Sequence, residues 1–116
     1  MKTFLAVYTG SADAKASWDA LPESERTVRQ ALGIAAWQDW AQQNAAAIVE
    51  AGGPLGRTKA VTARGIDDVR NNLAAFTIVR AESQEAAARL FIDHPHFTIF
   101  PGESVEVMPV LPIPGA

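Results

Sequence analysis

An α+β fold of ferredoxin-like order, β-α-β-β-α-β, is what the chain predicts. Three observations predict it. Short runs of β-branched and aromatic residues stand at both ends and in the middle of the chain. Two stretches with helical periodicity separate them. Turn formers punctuate each change of pattern. The expected protomer is a four-stranded antiparallel sheet with both helices on one face.

The first strand is Thr3 to Thr9. It is short, apolar on both faces (Phe4, Ala6 and Tyr8 against Leu5 and Val7) and stopped by Gly10-Ser11. A long helical region follows from about Pro22 to Glu50. Pro22 suits a first helical position, and Glu23 and Glu25 suit the positive end of the helix dipole. Ile34, Trp37, Ala41, Ala45 and Ile48 form an apolar stripe at spacings of three and four, with Trp40 at its edge. Val28 and Leu32 fall on the opposite side, so a bend is expected near Gly33. Gly52-Gly53-Pro54 is read as the helix end.

Thr58 to Arg64 and Leu73 to Ala81 are the next strands, joined by the polar connection GIDDVRNN. Ser83 is placed to cap a helix over Gln84 to Ile92, with Ala87, Leu90 and Phe91 facing inward and Pro95 stopping it. Ser104 to Val110 closes the sheet. The tail, 111–116, carries Pro112 and Pro114 and is expected as an extended arm packed on a partner subunit or on the chain's own helices. The domain is therefore read as 1–110 with a proline-rich arm of 111–116.

The 116 residues fit one domain. Ten Lys and Arg stand against 13 Asp and Glu, a net charge of −3, which disfavours nucleic acid or an anionic membrane as partner. There is no cysteine, so no disulfide, thiolate nucleophile or zinc-thiolate site. The apolar run FLAVY is too short for the core of a secretion signal, and no run is long enough to span a bilayer. A cytoplasmic location is the expectation. Two helices cover one face of a sheet whose strands are apolar on both. The other face is therefore expected to pair with a second copy, giving a homodimer.

The chemistry gathers in FIDHPHF, which holds both histidines of the chain. His94 precedes Pro95, which biases it out of the helix. An imidazole with a reference pKa near 6.5 can take or give a proton at neutral pH, and Asp93 could orient it. The competing reading has His94 capping the helix C-terminus; as a partly exposed group its replacement by Ala would then cost under about 1 kcal/mol. His96 is a candidate ligand contact, or else a surface histidine on a loop covering the core. Asp93, His94 and His96 are metal-ligand types but lack metal-site spacing, so no metal is expected. Trp37 and Trp40 are neighbours on one helix face; either packs the core or walls a pocket, Trp40 at the edge being the better wall. GGPLG lacks the Lys-Ser/Thr of a phosphate loop, so no nucleotide is expected. Arg57, Lys59, Arg64 and Arg70 around the hairpin read as a solvated face, or as the seat of a carboxylate ligand.

The segments AAWQDWAQQN, AGGPLGRTK, RAESQEAAARLFIDHPHF and GESVEVMPV together resemble the YCII-related family in its DGPF-type branch, over roughly 30–110. The resemblance implies a small dimeric α+β-barrel protein with a ferredoxin-like protomer, in a family whose cellular role is mostly unassigned. Gly53 and Pro54 match the family's Gly-Pro after the first helix and enter as candidate ligand contacts. The family's proposed acid/base pair is a His on the first helix and an Asp before a Pro after the second. Here the first helix offers Ala36, Trp37 and Asp39 instead, and His94 occupies the pre-proline position. Two functions compete on this basis. One is a cofactor-free acid/base enzyme acting on a small organic molecule, with His94 as proton carrier. The other is a non-catalytic dimeric module that binds a small molecule or serves as an accessory.

Overall fold

Phe4, Ala6 and Tyr8 alternate with Leu5 and Val7 along β1 (Lys2–Gly10), and the alternation decides which side of the sheet is core. In the computed structural model, which describes residues 1–115, the first three are sealed from solvent while Leu5 and Val7 are half-buried. Ser11 then caps a short helix α1 (Ala12–Asp19), its hydroxyl accepting the Ala14 N–H at 3.1 Å. The sequence had offered Ser11 only as a strand stop.

The next helix, α2 (Glu23–Gln43), differs from expectation twice. It runs unbroken through Gly33. That glycine is buried because the Phe100 ring occupies the space where a Cβ would stand, so it permits a close approach and makes no bend. The helix also ends seven residues early. Ile48 to Pro54 forms a strand, β2, and Gly52-Gly53-Pro54 lies in it rather than ending a helix. Ala41, Ala45 and Ile48 keep helical spacing, but the tertiary pairing with the sheet overrides it. Pro54 is tolerated because β2 is an edge strand.

A hairpin follows, made of β3 (Thr58–Thr62) and β4 (Gly65–Val69), which pair with each other and not with the main sheet. GIDDV is thus a strand, where a connection was expected. Then come β5 (Leu73–Ala81), α3 (Gln84–Arg89) capped by Ser83, the single-turn helix α4 (Pro95–Thr98) and β6 (Gly102–Pro109). Pro95 opens α4, whereas α3 has already ended upstream of it. The main sheet is antiparallel with order β2-β5-β1-β6. This is the ferredoxin-like order with the β3–β4 hairpin inserted between its second and third strands. The second strand of the fold is therefore Ile48–Pro54, not Thr58–Arg64.

The core lies between the sheet and the helices: Phe4, Ala6, Tyr8, Ala75, Val79, Ala81, Ala87 and Phe91. On the opposite face, Leu5 stands opposite Ile78, Val7 opposite Phe76, and Leu5 opposite Met108 on the other side. Residues 110–115 are exposed, so the arm does not pack on the chain's own helices; Ala116, its last residue, lies outside the described residues. No helix is long and apolar enough to cross a membrane among the described residues.

Candidate functional site

Gly33 is the only fully buried residue of the described α2 helix. The C-terminal half of the helix therefore stands off the sheet, and the gap is a cleft of about 610 Å³. Trp37 and Trp40 wall it from the helix, Ala74 and Ala75 border it on β5, and Phe100 closes it from the segment after α4. The backbone of Gly52-Gly53-Pro54 forms its rim on β2. Its polar lining is sparse: Gln38, His96 and backbone on β2. No Asp, Glu, Lys or Arg lines it among the described residues. An apolar cleft with a few convergent polar groups is the usual form of a small-molecule site. The hollow at the hairpin base is wider, about 1100 Å³, but its lining of Arg57, Lys59, Asp68 and Arg70 is solvated, and we do not read it as the site.

The two histidines have different fates. His94 is wholly buried and does not line the cleft; it sits behind the indoles, 4.5 Å from Trp37 and 4.6 Å from Trp40 between ring centroids, edge to face in both cases. It caps the N-terminus of α4, not the C-terminus of α3: its Nδ1 accepts the His96 N–H at 3.0 Å. That bond requires Nδ1 to be unprotonated, so the neutral ring carries its proton on Nε2, which has no hydrogen-bond partner among the described residues. Burial, with the nearby His96 adding to it, pushes the His94 pKa down to about 4. Its lone pair is thus committed to the backbone.

His96 is only 6% exposed, which corrects the picture of a surface loop histidine. Its Nε2 lies 2.7 Å from the Thr9 carbonyl, and since a carbonyl only accepts, Nε2 is the donor. The unprotonated nitrogen is therefore Nδ1, which makes no hydrogen bond among the described residues and is not sealed from solvent. Burial lowers the His96 pKa, partly offset by the Thr9 bond, so the ring is neutral at neutral pH. Gly102 makes the placement possible, because a Cβ there would run into the imidazole and the His96 carbonyl.

Asp93 departs furthest from expectation. It adopts a left-handed backbone (φ 57°) beyond α3, is exposed, and its carboxylate bonds neither histidine among the described residues. Trp40 is fixed in the wall by its indole N–H, which donates to the Leu90 carbonyl at 2.7 Å. The structure thus brings Trp37, Trp40, Gly53, Pro54 and His96 to one cleft, sets His94 behind it and leaves Asp93 outside.

Sequence reasoning missed Phe100, Tyr8 and Thr9. Tyr8 touches both imidazoles, with centroids 5.2 and 5.3 Å away. Its hydroxyl donates to Thr77 Oγ1 at 2.9 Å, because Thr77 spends its own proton on the Ala51 carbonyl at 3.0 Å. Burial pushes the Tyr8 pKa up to about 12, so it stays a neutral phenol. Two aromatics in HFTIF beside the histidines were a signal for Phe100. Nothing in the sequence marks the Thr9 carbonyl, 87 residues from its partner.

No family model matches the chain, and no curated protein matches it. Among solved structures, 5-chloro-2-hydroxyhydroquinone dehydrochlorinase (TftG) from Burkholderia phenoliruptrix AC1100, in complex with 2,5-dihydroxybenzoquinone, is similar to it. The two superpose with a TM-score of 0.52 over 91% of this chain and 90% of that one, at 18% identity. At that identity the likeness is one of fold.

Proposed function

We propose that the chain is a cofactor-free acid/base enzyme acting on a small, flat organic molecule, with His96 as the proton carrier. One observation carries the reading: a neutral imidazole, on a residue that lines an apolar cleft, held by the Thr9 carbonyl through Nε2 so that Nδ1 is left free. A base with a lowered pKa is unprotonated at neutral pH and takes only a fairly acidic proton, such as that of a phenol, an enol or a carbon next to a carbonyl. Once protonated, the ring keeps its Nε2–H bond to Thr9, which favours the imidazolium, while the surrounding apolar walls favour return of the proton. Trp37, Trp40 and Phe100 supply flat surfaces suited to a ring. His94 acts behind them by fixing His96 rather than by carrying the proton.

The fold likeness to a dehydrochlorinase acting on a substituted hydroquinone makes hydroquinones and cyclic enols the first compounds to try. The resemblance to the YCII-related family, and the homodimer it implies, belong to the same proposal; the apolar face of Leu5, Val7, Phe76 and Ile78 supports a second copy there. A specific observation favours the non-catalytic binding module: no carboxylate stands in the cleft to assist His96 among the described residues.

One experiment separates the readings. Hydroquinones and cyclic enols are titrated against tryptophan fluorescence, and proton exchange of each bound compound is followed by NMR in deuterated buffer. Binding with exchange that His96→Gln removes is the expected result. Binding without exchange leaves the binding module. No binding by any compound of the class counts against the cleft as a site for flat rings.

A further inference from the structure

Among the described residues, the β3–β4 hairpin pairs only with itself and lies apart from the main sheet. Every residue of β4 is exposed, and of β3 only Thr58 and Ala60 are half-buried. Val61 stands opposite Ile66 near its tip, and the two are 77% and 67% exposed. An isolated two-stranded hairpin is marginal in water, and a pair of β-branched residues at its tip stabilises it only when covered. The radius of gyration, 16.1 Å, exceeds the roughly 13 Å usual for a compact chain of this length. The projecting hairpin and the exposed arm after β6 account for the difference.

Charge divides along the same line. Residues 56–71 carry four cations (Arg57, Lys59, Arg64, Arg70) against two carboxylates (Asp67, Asp68), a net +2. The remaining chain carries six cations against eleven carboxylates, a net −5. Lys59 is held by Asp68 at 2.7 Å, whereas Arg57, Arg64 and Arg70 make no ion pair among the described residues. The uncovered face of the main sheet has acidic margins: Glu106 on the edge strand β6 stands opposite Val7, and Glu50 on the edge strand β2 stands opposite Ile78.

We infer that the hairpin is a docking arm for a second copy of this chain, its arginines gripping the acidic margins of that copy's open sheet face and its Val61–Ile66 tip covered there. The inference rests on the sheet-to-sheet pairing proposed above. A stable interface removes about 800 Å² of accessible surface from each partner, and a two-stranded arm reaching over the margin of the sheet face adds to the area a second copy covers. The basic arm and acidic body make the contact favourable between copies rather than between two arms.

The test is sedimentation equilibrium of the full chain at two salt concentrations, with circular dichroism as the check on folding. Two arm variants are compared with wild type: Val61→Ser with Ile66→Ser, and Arg57→Glu with Arg70→Glu. Both pairs are exposed in the single chain, so neither should disturb the protomer. Each is expected to raise the dimer dissociation constant at least tenfold. Adding Glu50→Arg and Glu106→Arg to the second variant should restore it. A wild-type dimer whose constant is unchanged within twofold in both variants overturns the docking arm and leaves the sheet pairing standing. A wild type that stays monomeric up to 100 micromolar overturns both.

Discussion

His94 Nδ1 accepts the backbone N–H of His96 at 3.0 Å, so the first histidine of the pair holds the second in place. One ring is used up as a helix cap; the other, tied to Thr9 by one nitrogen, keeps its second nitrogen free. The division of labour leads to separable consequences for the two residues.

Replacing His96 with Gln preserves a donor toward the Thr9 carbonyl but removes the basic nitrogen. Exchange or turnover should fall by roughly 10²-fold or more, the usual contribution of a positioned acid/base group. Fluorescence titration should show ring binding retained within a few fold. An undiminished rate in the variant would take His96 out of the chemistry.

His94→Ala should behave as a core deletion. The side chain is wholly buried among Tyr8, Trp37, Trp40 and Phe91, and its loss empties that space and uncaps α4. A loss of about 2–4 kcal/mol in urea denaturation is expected, not the cost of under about 1 kcal/mol that an exposed helix-end imidazole implies.

Stability should depend on pH in a fixed direction. His94 titrates near 6.5 when unfolded and at about 4 when folded, so between these values the unfolded chain binds more protons. The His94 contribution is whole above pH 6.5, falls as pH drops and is spent below about 4, a change of about 3 kcal/mol. His96 acts in the same direction. Urea midpoints measured from pH 7.5 to 4 should fall accordingly, and His94→Asn, which can still cap, should flatten the slope. Equal slopes in both proteins would count against a buried neutral His94.

Gly102→Ala places a methyl group against the His96 ring and carbonyl. The β6 backbone must shift, at a cost of roughly 1–3 kcal/mol, and His96 must leave the Thr9 carbonyl. The His96 ring signals in NMR should move well away from their wild-type positions. Ordinary spectra and an unchanged melting temperature would contradict the packing described.

Removing 111–116 should leave the melting temperature of the dilute monomer unchanged, because Leu111 and Ile113 are 74% and 77% exposed in the single chain. If the arm packs on a second copy, the same truncation should weaken dimerisation in sedimentation. An unaltered dimer constant would place the arm in solvent.

The strands of the sheet interior were legible because their side chains alternate within a few residues. Thr3–Thr9 and Leu73–Ala81 carry the core on every second residue, and both fold as strands within a residue of their expected ends. Ser83 as a cap, the strand after Gly102 and the two tryptophans on one helix face were equally local. Other features depended on partners distant in sequence. Ile48–Pro54 continues a helical spacing and becomes a strand because β5 pairs with it. Gly33 looks like a break and is a contact, because Phe100 fills the missing Cβ. The sequence by itself determined the two central strands, the last strand and the Ser83-capped helix, and gathered both histidines at one corner, since alternation, caps and prolines act over a handful of bonds. Only the tertiary structure decided which histidine faces the cleft: that choice rests on the Thr9 carbonyl arriving from the other end of the chain and on the burial that strips both imidazoles of charge.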